Sequence, residues 1–187
     1  VSGFTAKDNI MLLIHLIPTG GTLGCSMTFN TDTGSNYAKR KSNSGGADGS
    51  ESSTDSIWVN GQTLANDVFS VYTIRNIADK EKYAIGELLD ANTAGSGNAP
   101  YRREVVAKWA NTSNQITTVT VSNSGGSGDF ASGSEVVVLG CDDDEADSGT
   151  NFWQEIGTDE LTSQGDVLTT GTITAKKYLW IQTHHLG

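Results

Sequence analysis

The chain has 187 residues, with 22 Asp plus Glu against 12 Lys plus Arg and a net charge of -10. Only 36% is hydrophobic, while 22 Gly, 22 Thr, 19 Ser and 13 Asn dominate. That balance argues against a helical bundle or coiled coil, which need Ala, Leu, Glu and Lys. It argues equally against a helical membrane span, because no run of 18 apolar residues exists.

Short apolar runs separated by Gly, Ser, Asn and Asp clusters read as strands. Asn9–Ile17 is apolar throughout apart from Asn9 and His15, so it belongs in the middle of a sheet. Pro18–Gly21 makes a turn. Leu23, Cys25, Met27 and Phe29 then alternate with small polar residues and set one face inward. Tyr37–Lys41 is a short strand, followed by a long polar loop, Ser42–Asp55. Ile57-Trp58-Val59 ends at Asn60-Gly61, a hairpin dipeptide.

Val68–Ile74 and Tyr83–Leu89 are further strands, followed by a loop over Asn92–Pro100. Arg103–Trp109, Gln115–Val121 and Phe130–Cys141 complete the set. About eight strands with uneven loops and no helical period predict an all-β protein. The expected form is an antiparallel two-sheet sandwich, jelly-roll-like.

The composition then changes. Asp142–Asp147 has five acids in six residues, which reads as a solvated linker over 142–150. A calcium loop would need an Asp-x-Asn/Asp-x-Asn/Asp-Gly pattern, which is missing. Beyond it, Ile173–Gly187 aligns on Phe4–Pro18 at an offset of 169. Thr-Ala-Lys falls on Thr-Ala-Lys, and His184 on His15. The division expected is therefore a sandwich repeat over 1–141, the linker, and the start of a second repeat over 151–187. On this reading the chain is a window on a tandem array, and 175–186 forms a strand.

Catalytic chemistry finds little support. His15, His184 and His185 are the three histidines, and adjacent histidines on a strand point to opposite faces. No metal-ligand spacing, phosphate-cradling loop or carboxylate pair stands out, so no enzyme, metal or cofactor is expected. A pI near 4.5 argues against nucleic acid. Cys25 and Cys141 read as two buried free thiols; a single bridge would need adjacent strands. The N-terminus carries neither a basic start nor a small-residue cleavage site.

Binding is better supported. Tyr37, Trp58, Tyr101 and Trp109 lie in or beside Gly-, Asn- and Ser-rich segments, where aromatic faces and amides could hold a sugar. The competing reading is that these rings pack the core. Lys39, Arg40, Lys41, Arg102 and Arg103 are the candidates for an anion contact, against a reading as solvated charge.

The motifs Asn30-Thr-Asp-Thr-Gly-Ser-Asn-Tyr-Ala38, Ser42-Asn-Ser-Gly-Gly-Ala-Asp48, Glu104-Val-Val-Ala-Lys-Trp-Ala-Asn-Thr-Ser-Asn-Gln-Ile116, Ser127–Glu135 and Phe152-Trp-Gln-Glu-Ile-Gly157 together resemble a repeated domain of structural proteins in marine tailed phages. The resemblance spans residues 3–141 and 151–187. It implies a non-enzymatic fibre, appendage or capsid-decoration element on the virion surface. Its expected partners are copies of itself, trimeric by analogy with fibres, other virion proteins and host cell-surface glycan. No membrane insertion is expected. The alternative is a secreted, extracellular carbohydrate-binding module of a bacterial polymer-degrading enzyme; a polysaccharide depolymerase is a third reading.

Overall fold

The computed structural model describes residues 1–60, 65–90, 95–143 and 169–175. The chain divides into two compact units, Val1–Glu145 and Ala146–Gly187. Most of the second unit, including the strand expected over 175–186, lies outside the described residues, as does 144–150 of the linker.

Among the described residues the first unit has twelve strands: β1 (Asn9–Leu16), β2 (Pro18–Thr19), β3 (Cys25–Phe29), β4 (Tyr37–Asn43), β5 (Gly49–Thr54), β6 (Ile57–Trp58), β7 (Val68–Arg75), β8 (Lys82–Asp90), β9 (Tyr101–Trp109), β10 (Val119–Asn123), β11 (Asp129–Phe130) and β12 (Glu135–Cys141). There is no helix among the described residues. The protein is all-β and antiparallel, as expected, with twelve strands in place of about eight.

The strands are divided unequally. A seven-stranded sheet runs β12-β1-β7-β8-β9-β4-β5, a three-stranded sheet runs β10-β3-β6, and β11 pairs with β2. The long apolar run of β1 sits between β12 and β7, inside the larger sheet. One core joins the two main layers. Ile10, Leu12, Ile14, Tyr72, Ile74 and Trp109 come from the larger sheet, and Cys25, Met27, Phe29 and Val119 from the smaller. Fully burying side chains of this size is worth about 1.5–3 kcal/mol each before entropy is charged against it. Polar bonds also cross between layers: Ser70 Oγ donates to the carbonyl of Val59 at 2.8 Å, and the Tyr72 hydroxyl to that of Trp58.

Several sequence expectations change. The loop expected over Ser42–Asp55 contains a hairpin, because β4 runs on to Asn43 and β5 pairs back along it. β5 is an edge strand of small polar residues, so no apolar alternation announced it. Asn60-Gly61 does not join a hairpin: β6 pairs with β3 in the small sheet, whereas β7 lies in the large one. Phe130–Cys141 is broken into β11 and β12, with Gly133 at φ +95° between them. The cysteines are both free. Cys25 is buried, but Cys141 is exposed, which corrects its expected burial.

The asparagine excess has a structural use. Asn60 Oδ1 accepts the Cys25 amide at 2.5 Å while Nδ2 donates to the Leu23 carbonyl at 2.7 Å. Asn76 Oδ1 accepts the Ile116 amide at 2.7 Å, and its Nδ2 donates to the Lys7 carbonyl at 2.9 Å. Asn30 Oδ1 accepts the amides of Thr117 and Thr118, and Asn123 Oδ1 that of Gly24. A carboxamide supplies both a donor and an acceptor, so it stands in for a neighbouring peptide where two segments leave a ladder.

Candidate functional site

The last strand of the small sheet, β6, has only two residues, and along β4 and β9 the inward face of the large sheet turns from apolar to polar. Along β4 the inward positions are Tyr37, Lys39, Lys41 and Asn43; along β9 they are Trp109, Ala107, Val105, Arg103 and Tyr101. Register sets Tyr37 beside Trp109 and Asn43 beside Arg103. These rows begin as core and end as a polar cluster.

At the core end, Tyr37 and Trp109 are 1% exposed. Their rings stack at 6.3 Å between centroids, and Phe29 meets Trp109 edge-on at 5.9 Å. The Tyr37 hydroxyl accepts the Phe29 amide at 2.9 Å and donates to the Asp32 carbonyl at 3.0 Å. Burial pushes its ionisation up to about 12. Trp109 Nε1 donates to Asp32 Oδ2 at 2.7 Å, and this bond is the main reason the Asp32 carboxyl lies below its ordinary range. Asp32 also accepts the Gly34 amide and the Asn36 carboxamide, which fixes a loop entered through Asn30 and Thr31 at positive φ. Neither Tyr37 nor Trp109 offers a face to solvent.

The polar end contains the other two aromatic candidates. Trp58 is half-buried, and Lys41 Nζ lies 3.1 Å from its ring centroid. Tyr101 is 37% exposed, and Arg103 Cζ lies 5.6 Å from its ring centroid. Glu51 on β5 binds both inward lysines, Lys39 at 3.1 Å and Lys41. Lys41 is the leading cause of the lowered ionisation of Glu51. Lys39 is nearly buried and also donates to the Ser56 carbonyl at 3.0 Å.

Arg103 is buried against Asp90 and donates to Asn43 Oδ1 at 3.1 Å. The second oxygen of Asp90, Oδ1, is buried without a hydrogen-bond partner, and desolvation pushes the Asp90 carboxyl upward against the pull of Arg103. We regard the carboxylate as ionised, because protonation would strand a buried guanidinium.

The five cationic candidates therefore form no common patch. Lys39, Lys41 and Arg103 point inward, each held by a carboxylate. Arg40 and Arg102 lie on the opposite face, with Asp48 at 3.6 Å and Glu104 at 3.7 Å. The structure instead forms two clusters along the inward face, Trp58 with Lys41 and Glu51 in one, and Tyr101 with Arg103, Asn43 and Asp90 in the other. Sequence reasoning missed Glu51, Asn43 and Asp90. The period of two along Arg103–Trp109 carried a usable signal, since it puts Arg103 on the face of the core Trp109.

Among the described residues, no group of three or more His, Cys, Asp or Glu gathers as metal ligands would. Also among them, no helix is long and apolar enough to cross a membrane. No known protein family, no curated protein and no solved structure matches the chain.

Proposed function

We propose that this protein is a non-enzymatic structural element of a tailed-phage virion surface, a fibre, appendage or decoration module, repeated in tandem and contacting host glycans through Trp58 and Tyr101. The observation that supports the glycan contact most is the pair of clusters on the inward face. Half-buried Trp58 stands by the Lys41 ammonium and the partly exposed Glu51 carboxylate, and exposed Tyr101 stands by Arg103 and its Asn43 amide partner. Sugars are bound in this way: an apolar ring face stacks on an aromatic, and the hydroxyl rim exchanges hydrogen bonds with amides and charges. The motif resemblance supports the virion context. Copies of the chain and other virion proteins are the partners on this reading.

The test of the virion assignment is immunogold labelling of purified particles, with an antibody raised against the chain. Labelled tails or capsids are expected. Labelling confined to the culture supernatant of a bacterium, with a catalytic domain in the same reading frame, would replace it with the secreted carbohydrate-binding module.

A further inference from the structure

The Trp58 cluster is not electrically balanced. Lys39 and Lys41 bring two ammonium groups to the inward face, and one carboxylate serves both: Glu51 Oε2 accepts from Lys39 at 3.1 Å, and Oε1 from Lys41. Among the described residues no second carboxylate pairs with either lysine. The count leaves one positive charge over, in a chain whose net charge is -10. The Tyr101 cluster differs, because Arg103 is matched by Asp90 and neither side chain is more than 2% exposed.

The two lysines differ in what they have left to donate. Lys39 is 5% exposed and gives a second hydrogen bond to the Ser56 carbonyl at 3.0 Å. Lys41 is 19% exposed, and its ammonium carries three donors. Glu51 takes one of them, and the face of Trp58 attracts the charge from 3.1 Å. Lys41 makes no further hydrogen bond among the described residues. The charge in excess therefore lies with Lys41, over the ring on which a sugar would stack.

Lys41 thus decides what can stack. A sugar that takes this face of Trp58 must move the ammonium off it and break a cation–π contact. A neutral sugar offers the displaced cation only hydroxyl groups. A sugar with a carboxylate offers an ion pair and charge-assisted hydrogen bonds, which are roughly twice as strong as neutral ones. Glu51, held between two ammonium groups, already shows the kind of group that fits there. We propose that the Trp58 cluster selects acidic sugars, uronic acids in particular, and that Lys41 is the residue that reads the carboxylate. On binding, Lys41 swings from the ring to the sugar carboxylate while keeping Glu51, and the freed face of Trp58 takes the sugar ring. This inference rests on the glycan reading and narrows it to one class of ligand.

Calorimetric titration of the full chain tests it, with oligosaccharides of glucuronate, galacturonate and mannuronate, each beside its carboxyl-reduced counterpart. A uronate should bind about tenfold or more tighter than its reduced form, the scale of one hydrogen bond to a charged group. The gap should narrow as salt is raised, because Lys41 is partly exposed. Lys41→Gln should close the gap by weakening the acidic ligand, and Lys41→Arg should retain it. Glu51→Gln should widen the gap, since it removes the carboxylate that competes for Lys41; a role confined to packing would not strengthen binding. Unfolding curves run alongside show that each variant is folded. A reduced oligosaccharide that binds as tightly as its uronate would overturn the inference, as would a gap unchanged in folded Lys41→Gln. A chain that binds other sugars and no uronate overturns the inference and leaves the glycan reading standing, whereas a chain that binds no sugar overturns both.

Discussion

The ring of Tyr72 lies over Gly86, its antiparallel partner on β8, so closely that a Cβ at residue 86 would stand 2.6 Å from Cζ and 2.7 Å from Cδ1. The missing side chain lets the tyrosine hydroxyl reach across the core to the Trp58 carbonyl. One glycine therefore helps to join the two layers and to seat the strand that carries Trp58. A glycine inside a strand often marks such an approach.

Gly86→Ala should force the buried Tyr72 ring aside and lower stability by about 1–3 kcal/mol, the usual cost of overpacking. Chemical denaturation checks the value. The double variant Gly86→Ala with Tyr72→Leu should lose less than the two single effects summed, because both act on one contact.

Asparagines that replace peptide groups should resist even the smallest change. Asn60→Asp retains an acceptor for the Cys25 amide but deletes the donor to Leu23 and buries a charge. A loss of at least about 1–3 kcal/mol is expected, measured by thermal or denaturant unfolding. Asn114→Asp, at an exposed position, should leave stability within about 0.5 kcal/mol of the starting protein.

Acid should destabilise the fold. The carboxyls of Asp32, Glu51, Asp142 and Asp143 all lie lower in the folded chain, each chiefly through a side-chain hydrogen bond, from Trp109, Lys41, Lys7 and Arg75 respectively. Asp143 is held down to about 2. A depressed carboxyl contributes stability that is complete above its unfolded value near pH 4 and is lost as pH falls through its folded value. The melting temperature should therefore drop as pH falls below about 4.5, and Asp32→Asn should reduce that slope.

The two thiols should separate cleanly. Burial pushes Cys25 up to about 12, and the residue is 2% exposed, whereas Cys141 is exposed at the end of β12. Titration of the native chain with Ellman's reagent should release one equivalent rapidly from Cys141, and the second only on unfolding. Cys141→Ser should abolish the rapid phase.

How far the sequence carried the fold is clearest at β1 and β5. The continuous apolar run of β1 indicated a central strand because burial on both faces leaves a one-dimensional trace. β5 left none: Gly49-Ser-Glu-Ser-Ser-Thr54 has no apolar residue, and its place is set by pairing with β4. The Asn60-Gly61 dipeptide misled for a related reason. Local turn preference was outweighed by a side chain satisfying two buried peptide groups. The site was half legible. All four aromatics were visible, yet composition around them could not separate Tyr37 and Trp109, stacked in the core, from Trp58 and Tyr101. That distinction depends on which rings the two layers enclose, which is set by the pairing of distant strands.

The most direct test of the central claim is a glycan array probed with the full chain, Trp58→Ala and Tyr101→Ala, with unfolding curves run in parallel. The account predicts binding to a defined surface glycan that falls by about tenfold in each variant, consistent with loss of one stacking ring. Tyr101→Ala should remain as stable as the starting protein. Binding that survives both substitutions in folded protein would contradict the site, and a folded chain that binds no glycan would contradict the function.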